Sequence, residues 1–390
     1  MIDKTAPIFE RIALSVMKRY TPEQARWHYE HGLVLQSIYN TGVFLNKPEY
    51  TRWVKSMLDA MITEDGGVAS YREGEYNLDQ INMGKLLFVF YAETGEQKYR
   101  KAIEILRKQL KEQPRTNAGG FWHKKIYPYQ MWLDGLYMGE PFYAQYAAIF
   151  NKNDGDTDFD DIVHQFILLE SKARDAKTGL LCHAWDESRV QKWADPETGC
   201  SPHFWGRAMG WYCMALVDTL DFIPKALPRH RQALLDISRS LIAPLLRCQD
   251  RESGLWSQIL DCRDRAGNYL ETSCSAMFTY FLYKTLNKGY AKDQAEEITS
   301  GAALAYKGLM SRIREETDGE LHVTGICSVA GLGGDPYRDG SFAYYTSEPV
   351  TEDDFKGLGS LILAALEKER NDMDLREENP RPEREAALCP

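Results

Sequence analysis

Residues 50–67, Tyr50-Thr51-Arg52-Trp53-Val54-Lys55-Ser56-Met57-Leu58-Asp59-Ala60-Met61-Ile62-Thr63-Glu64-Asp65-Gly66-Gly67, join an amphipathic helical pattern to a turn signal. From Tyr50 to Ile62 apolar residues recur three and four apart, which leaves one wet face. The turn Glu64-Asp65-Gly66-Gly67 then ends the pattern. The same unit returns. Asn117-Ala118-Gly119-Gly120, Lys177-Thr178-Gly179-Leu180, Glu252-Ser253-Gly254-Leu255 and Thr317-Asp318-Gly319-Glu320 each follow a helical pattern rich in Lys, Arg and Glu, as over Lys98–Leu110 and Arg231–Arg247. Repetition at a roughly fixed period marks an architecture built from one supersecondary unit.

Each turn leads, through a polar or aromatic loop, into a more apolar helix. These run roughly over Tyr29–Asn40, Ile81–Glu93, Met131–Phe150, Gly206–Leu220, Cys274–Leu286 and Phe355–Leu366. Gly32, Gly84, Gly135, Gly210 and Gly357 sit near the start of five of them. A glycine costs about 1 kcal/mol inside a helix, so its recurrence at one place points to close helix packing beside a shared opening. Six polar-faced helices alternating with six apolar ones predict an all-α (α/α)6 barrel, an outer ring around an inner one. The extended residues after each turn predict short β-ribbons on the rim. A linear helical solenoid is the competing arrangement, but it needs no funnel of aromatic loops at one end. The barrel is expected to be a single domain over residues 1–366, with residues 367–390 a charged C-terminal extension.

Composition narrows the function. The 390 residues carry 47 Lys and Arg against 57 Asp and Glu, a net charge of −10. That disfavours nucleic acid and anionic membrane surfaces as partners, and an anionic substrate must then meet a local cationic cluster. No apolar run approaches the roughly 20 residues of a membrane helix. The start, Met1-Ile2-Asp3-Lys4-Thr5-Ala6-Pro7, lacks a basic leader with an apolar core. The eight cysteines are scattered without a Cys-x-x-Cys pair, which favours buried free thiols and a cytoplasmic setting. The histidines show no metal-site spacing with acidic or cysteine partners, so no metal is expected.

In a barrel the loops entering the inner helices converge on one mouth. Aligned on the helix glycines, Trp27, Asp79 and Trp205 fall five residues before Gly32, Gly84 and Gly210. Tyr29 and Arg207 fall three before Gly32 and Gly210, and Asp134 one before Gly135. The loops add Trp122, His123, Lys124 and Trp132, then His183, Trp185 and Asp186, and Trp211 follows Gly210. Singly, a Trp is more often core, a histidine more often structural and a lysine more often a solvated surface charge. Their shared register is what points to a site. Aromatic faces stack on the C–H faces of sugar rings, and Arg207 with Lys124 suits a carboxylate. The pocket chemistry is therefore that of a small anionic oligosaccharide. Asp134 lies in Tyr127-Pro128-Tyr129-Gln130-Met131-Trp132-Leu133-Asp134-Gly135-Leu136-Tyr137, among four aromatic rings. Apolar surroundings disfavour the charged form of a carboxyl, which makes Asp134 a candidate general acid/base.

That stretch, with Arg26-Trp27-His28-Tyr29, Leu78-Asp79, Gly119-Gly120-Phe121-Trp122-His123-Lys124, Cys182-His183-Ala184-Trp185-Asp186-Glu187 and Phe204-Trp205-Gly206-Arg207, resembles the unsaturated rhamnogalacturonyl hydrolases, glycoside hydrolase family 105. The resemblance runs in order from about Tyr20 to Leu366. It implies the (α/α)6 barrel and an indirect glycosidic cleavage. The enzyme hydrates the double bond of a Δ4,5-unsaturated galacturonic acid at the non-reducing end of a lyase-cut fragment. The hemiketal so formed opens and releases the neighbouring sugar. By resemblance Asp134 is both acid and base, and Asp79 is the second carboxylate, which orients sugar hydroxyls and helps keep Asp134 protonated. His183 contacts substrate, Lys124 and Arg207 are polar pocket residues, and Tyr29, Trp132, Trp205 and Trp211 form an aromatic wall that His123 adjoins. No cofactor is implied.

The stretch Gly333–Tyr345, entering the sixth inner helix, is expected to shape the subsite beyond the scissile bond, and it leaves the leaving sugar open. Related enzymes act on unsaturated glucuronyl ends of other lyase-derived oligosaccharides. Two further readings use the same barrel. A sugar epimerase needs paired histidines on opposite sides of the ring, for which only His183, His123 and His31 are candidates. A non-catalytic oligosaccharide-binding protein has no need of Asp134 and Asp79 together.

Overall fold

The computed structural model describes residues 2–151 and 157–378. Six helices form an inner ring: α2 (Tyr29–Leu45), α4 (Lys85–Thr94), α6 (Leu133–Phe150), α8 (Gly206–Thr219), α10 (Thr272–Asn287) and α13 (Phe355–Glu378). Between them run the outer helices α1 (Ile8–Arg19), α3 (Pro48–Asp59), α5 (Gln97–Glu112), α7 (Thr157–Ala173), α9 (Pro228–Cys248) and α11 (Ala295–Met310), and a short α12 (Phe342–Ser347) lies on the rim. Inner neighbours pack in chain order, and α13 returns onto α2 to close the ring. The protein is an (α/α)6 barrel.

The two rings divide by burial as their sequences require. In α3 only the stripe Tyr50, Val54, Met57 and Leu58 is buried, whereas α10 is buried at every residue from Thr272 to Thr285. An amphipathic helix has one face to hide and a helix apolar all round must sit inside. The five turn signals are equivalent in space: Gly66, Gly119, Gly179, Gly254 and Gly319 all have φ between 75° and 93°, a region open to glycine and strained for other residues. The helix glycines mark close approach, as expected. A Cβ on Gly210 would lie 2.8 Å from Met277 of the next inner helix, and one on Gly357 would lie 2.4 Å from Ile326.

Four antiparallel ribbons sit at the mouth: β1 (Gln130–Trp132) with β2 (Ala184–Asp186), β3 (Trp256–Ser257) with β4 (Leu270–Glu271), β5 (Ile313–Glu315) with β6 (Leu321–Val323), and β7 (Ile326–Cys327) with β8 (Val350–Thr351). The first matters most for the site. It pairs Trp132 with Ala184 and so fixes the entry to α6 against the segment carrying His183.

Two boundaries differ from expectation. The second inner helix was expected from Ile81, but residues 78–84 form two 3-10 turns and α4 begins at Lys85. The sixth does not stop at Leu366. It runs unbroken to Glu378, because Glu367 is buried and accepts a hydrogen bond from Asn287 Nδ2 at 2.8 Å. Residues 379–390 of the expected extension lie outside the described residues. Among the described helices none is long and apolar enough to cross a membrane.

The turn at Ser253-Gly254 seats on the backbone of α11. A Cβ on Gly308 would stand 2.0 Å from Ser253 O, whereas one on Gly74 meets nothing within 4 Å. Gly308→Ala is expected to destabilise the protein by about 2–3 kcal/mol through overpacking, with Gly74→Ala close to neutral. Thermal unfolding of the two variants checks this, and equal melting temperatures would contradict the packing.

Candidate active site

Asp134 is the second residue of α6, and its side chain is 13% exposed. Its Oδ2 lies 3.1 Å from His183 Nε2. Neither atom makes an aligned hydrogen bond, so the contact is electrostatic rather than a directed bond. His183 is fully buried. Its Nδ1 meets the Tyr345 hydroxyl at 2.7 Å, and its backbone O accepts from Leu133 N at 3.0 Å. A chain Tyr345–His183–Asp134 therefore backs the carboxylate. Tyr345 belongs to α12, within the segment expected to shape a distant subsite. Its part in holding His183 was not read from sequence, because the two residues are 162 positions apart.

Asp79 sits in the 3-10 turn before α4, where Asn77 caps its backbone N–H at 3.0 Å. Lys124 Nζ lies 2.6 Å from Asp79 Oδ2, and His123 Nε2 lies 3.6 Å from Oδ1. Burial favours the neutral form of Asp79, but the Lys124 ammonium outweighs it and holds this carboxyl below its ordinary value. Burial pulls the His123 ring down to about 4, so it is neutral at pH 7. The electrostatic neighbours of His123 include Asp79, Lys124, Asp134 and His183, and those of Tyr29 include Asp79, Arg207 and Asp134. The expected residues thus converge on one place. Lys124, however, is already matched to Asp79, so its charge is not free in the way the sequence implied. The same pairing limits how far Asp79 can repel charge on Asp134.

Among the described residues of this cluster, the cation with an unpartnered arm is Arg207. It is 1% exposed, on the first turn of α8. Its Nη1 donates to Cys327 O at 2.6 Å and to Ser273 Oγ at 3.3 Å, while buried Nη2 has no partner. Burial works against the charge, but the field of Cys327 and Glu271 holds the guanidinium above its ordinary value. One arm is fixed and the other is free, the arrangement of a pre-set carboxylate receptor.

The aromatic wall is more deeply set than its sequence signal implied. His123 at 4.6 Å and Tyr127 at 4.9 Å both stack on Trp132, and their own parallel rings lie 6.5 Å apart, so they cover the same face of the indole. Trp132 is 5% exposed, with His183 set edge-on to it at 5.1 Å. Trp205 is enclosed by His183 at 4.8 Å, Tyr345 at 5.8 Å and the Arg207 guanidinium at 5.0 Å. Trp211 stacks on Tyr137 at 4.7 Å and meets the edge of Tyr29 at 6.1 Å. Of the three, Trp205 is the one that packs on a charged group, the Arg207 guanidinium. Tyr29 and Tyr127 are the half-exposed rings of the group, and Arg338 reaches in from the rim to donate to the Tyr127 hydroxyl at 2.9 Å. Exposure of a ring face depends on its neighbours in space, which sequence register does not carry.

Two groups of described residues have metal-ligand geometry, His203 with Asp261 and Cys262, and His322 with Glu352 and Asp353. Neither includes a residue of the Asp134 cluster, and His322 and Asp353 are engaged with Arg19.

Residues 8–372 match the Glycosyl Hydrolase Family 88 profile. A solved structure described as a family 105 glycoside hydrolase of C. acetobutylicum ATCC 824 is 46% identical, with a TM-score of 0.89 over 93% of this chain and 99% of that one. Protein Atu3128 of Agrobacterium fabrum is 40% identical over 59% of this chain and 97% of its own. The unsaturated rhamnogalacturonyl hydrolase YesR of Bacillus subtilis is 28% identical over 70% of this chain and 74% of its own. A family profile over nearly the whole barrel, with a carboxylate at its mouth, defines a glycosidase. The chain belongs to glycosyl hydrolase family 88, and with its 46% identical relative to glycoside hydrolase family 105.

Proposed function

We propose that this glycosidase releases Δ4,5-unsaturated galacturonic acid from the non-reducing end of lyase-generated rhamnogalacturonan oligosaccharides. The observation that carries the reading is a carboxylate backed by His183 but bound to no cation, Asp134, near a Tyr29 that also feels the buried Arg207, whose Nη2 has no partner. The YesR relative supports the substrate class. In the reaction Asp134 gives its proton to C4 of the unsaturated ring. Its carboxylate then takes a proton from water as that water adds to C5. The hemiketal at C5 opens to a ketone, which frees the ring oxygen as a hydroxyl on C1, and this C1 hemiacetal collapses to an aldehyde as the neighbouring sugar leaves as its alcohol. One group suffices, because the proton lost in the first half is regained in the second. Arg207, packed on Trp205, holds the uronate carboxylate, and Asp79 orients hydroxyls with its charge matched by Lys124. Free thiols and short oligosaccharide substrates fit a cytoplasmic setting.

Incubation with a rhamnogalacturonan lyase digest is expected to remove the ultraviolet absorbance of the conjugated double bond. A glycosaminoglycan lyase digest should react more slowly. The opposite order would assign the enzyme to unsaturated glucuronyl substrates, and no loss with either would overturn the reading. An epimerase is disfavoured by His123 and His183 packing against the same Trp132, at 4.6 and 5.1 Å, rather than on opposite sides of a sugar.

A further inference from the structure

At the end of the barrel away from Asp134, all six inner helices surround a cavity of about 340 Å³. Its charged wall is largely self-paired. Lys284 binds Asp218 at 2.6 Å and Asp221 at 2.7 Å, Lys288 binds Asp221 at 3.0 Å, and Arg370 pairs with Glu367. Lys85 is the exception. It is 5% exposed, and its Nζ has neither a carboxylate nor a hydrogen-bond partner. It rests 4.1 Å from the centre of the Tyr137 ring. Burial pulls this ammonium down to about 8, against a smaller opposing effect of Asp218. Cations at helix C-termini complement the helix dipole, which accounts for Lys284 and Lys288 at the end of α10. It does not account for Lys85, the first residue of α4, where the dipole disfavours a cation.

Gln36, Asn40 and Gln145 also line the cavity. Among the described residues none of their side chains has a hydrogen-bond partner. Leu86, Val89 and Pro141 supply an apolar side. Unpartnered amides beside an ammonium with no carboxylate, with an apolar wall, match one ligand chemistry: a carboxylate on a hydroxyl-bearing carbon skeleton. A buried ammonium without a hydrogen-bond partner is costly, and such a ligand meets it together with the open amides of the wall. Tyr137 of the cavity wall stacks on Trp211, which meets Tyr29 of the mouth edge-on, so these three rings stand between the two sites.

We propose that the cavity around Lys85 is a second binding site, for a small sugar acid. It goes beyond the reaction at Asp134 and does not depend on which sugar leaves there. The test uses D-galacturonate as probe and D-galactose as its neutral counterpart, with the full-length protein. Carbon-13 methyl labelling of the lysines, with the Lys85 signal assigned by its loss in Lys85→Arg, follows this amine directly. Galacturonate is expected to move its titration midpoint upward by about one unit, since a bound anion favours the charged form, and galactose to leave it unchanged. Calorimetry should show galacturonate binding weakened about tenfold or more in Lys85→Met and in Gln145→Leu but kept in Arg207→Met, which removes the cation of the mouth. Gln145→Leu retains the lysine should Lys85→Met fail to fold. An unmoved Lys85 midpoint, equal effects of galactose, or binding lost only in Arg207→Met would overturn the proposal.

Discussion

Asp134→Asn is expected to lower kcat by about 10³-fold or more, within the range that a positioned general acid/base contributes. On the transition-state scale that is about 4 kcal/mol. The substitution keeps the side-chain volume and removes only the transferable proton. Since Asp134 Oδ2 makes no aligned hydrogen bond to His183, the change breaks no directed contact, and the melting temperature should stay close to that of the wild type. Substrate binding should persist as well, because Arg207 and the Asp79–Lys124 pair are untouched. The readout is loss of double-bond absorbance with a lyase digest, with calorimetry in parallel to follow affinity. A variant within tenfold of wild-type kcat would move the acid to another group, and Asp79 is the remaining carboxylate of the cluster. Its pairing to Lys124 at 2.6 Å makes it a poor proton donor, since Lys124 favours its charged form. The expected result therefore separates the two carboxylates by their environments as well as by their positions.

The barrel was legible because its signal repeats. Five turn glycines with one backbone conformation, and helices that alternate between a wet face and none, leave few architectures open. The site was legible in its residue types, since register across repeats brought Tyr29, Asp79, Asp134 and Arg207 into one neighbourhood. Partnership was not legible. That Lys124 is spent on Asp79 and that Tyr345 orders His183 both depend on closeness between loops of different repeats. Charge and ring type are properties of a residue, whereas availability to a ligand is a property of what surrounds it. Among the described residues of the site, the second arm of Arg207 is left without a hydrogen-bond partner.

Arg207→Met is expected to act twice, and the two effects are separable. Glu271 is fully buried and accepts from Cys274 N at 2.6 Å, Cys327 N at 2.9 Å and Ser273 Oγ at 2.9 Å. Ser273 in turn receives Arg207 Nη1. Removing the guanidinium leaves this buried carboxylate without its counter-charge and Cys327 O without a donor. A directly paired buried ion would cost more, but one bridged through a serine should cost about 2–3 kcal/mol of stability, read as a lower melting temperature. The second effect concerns the free arm. Losing hydrogen bonds to a substrate carboxylate costs about 1.5–3 kcal/mol, so kcat/KM should fall roughly 10- to 150-fold. A methyl-esterified unsaturated substrate separates the two effects. The wild type should prefer the free acid over the ester, and Arg207→Met should lose that preference while its kcat on the ester changes little. If stability falls but the preference for the acid is retained, Arg207 is a structural cation, and the uronate carboxylate is met elsewhere at the mouth.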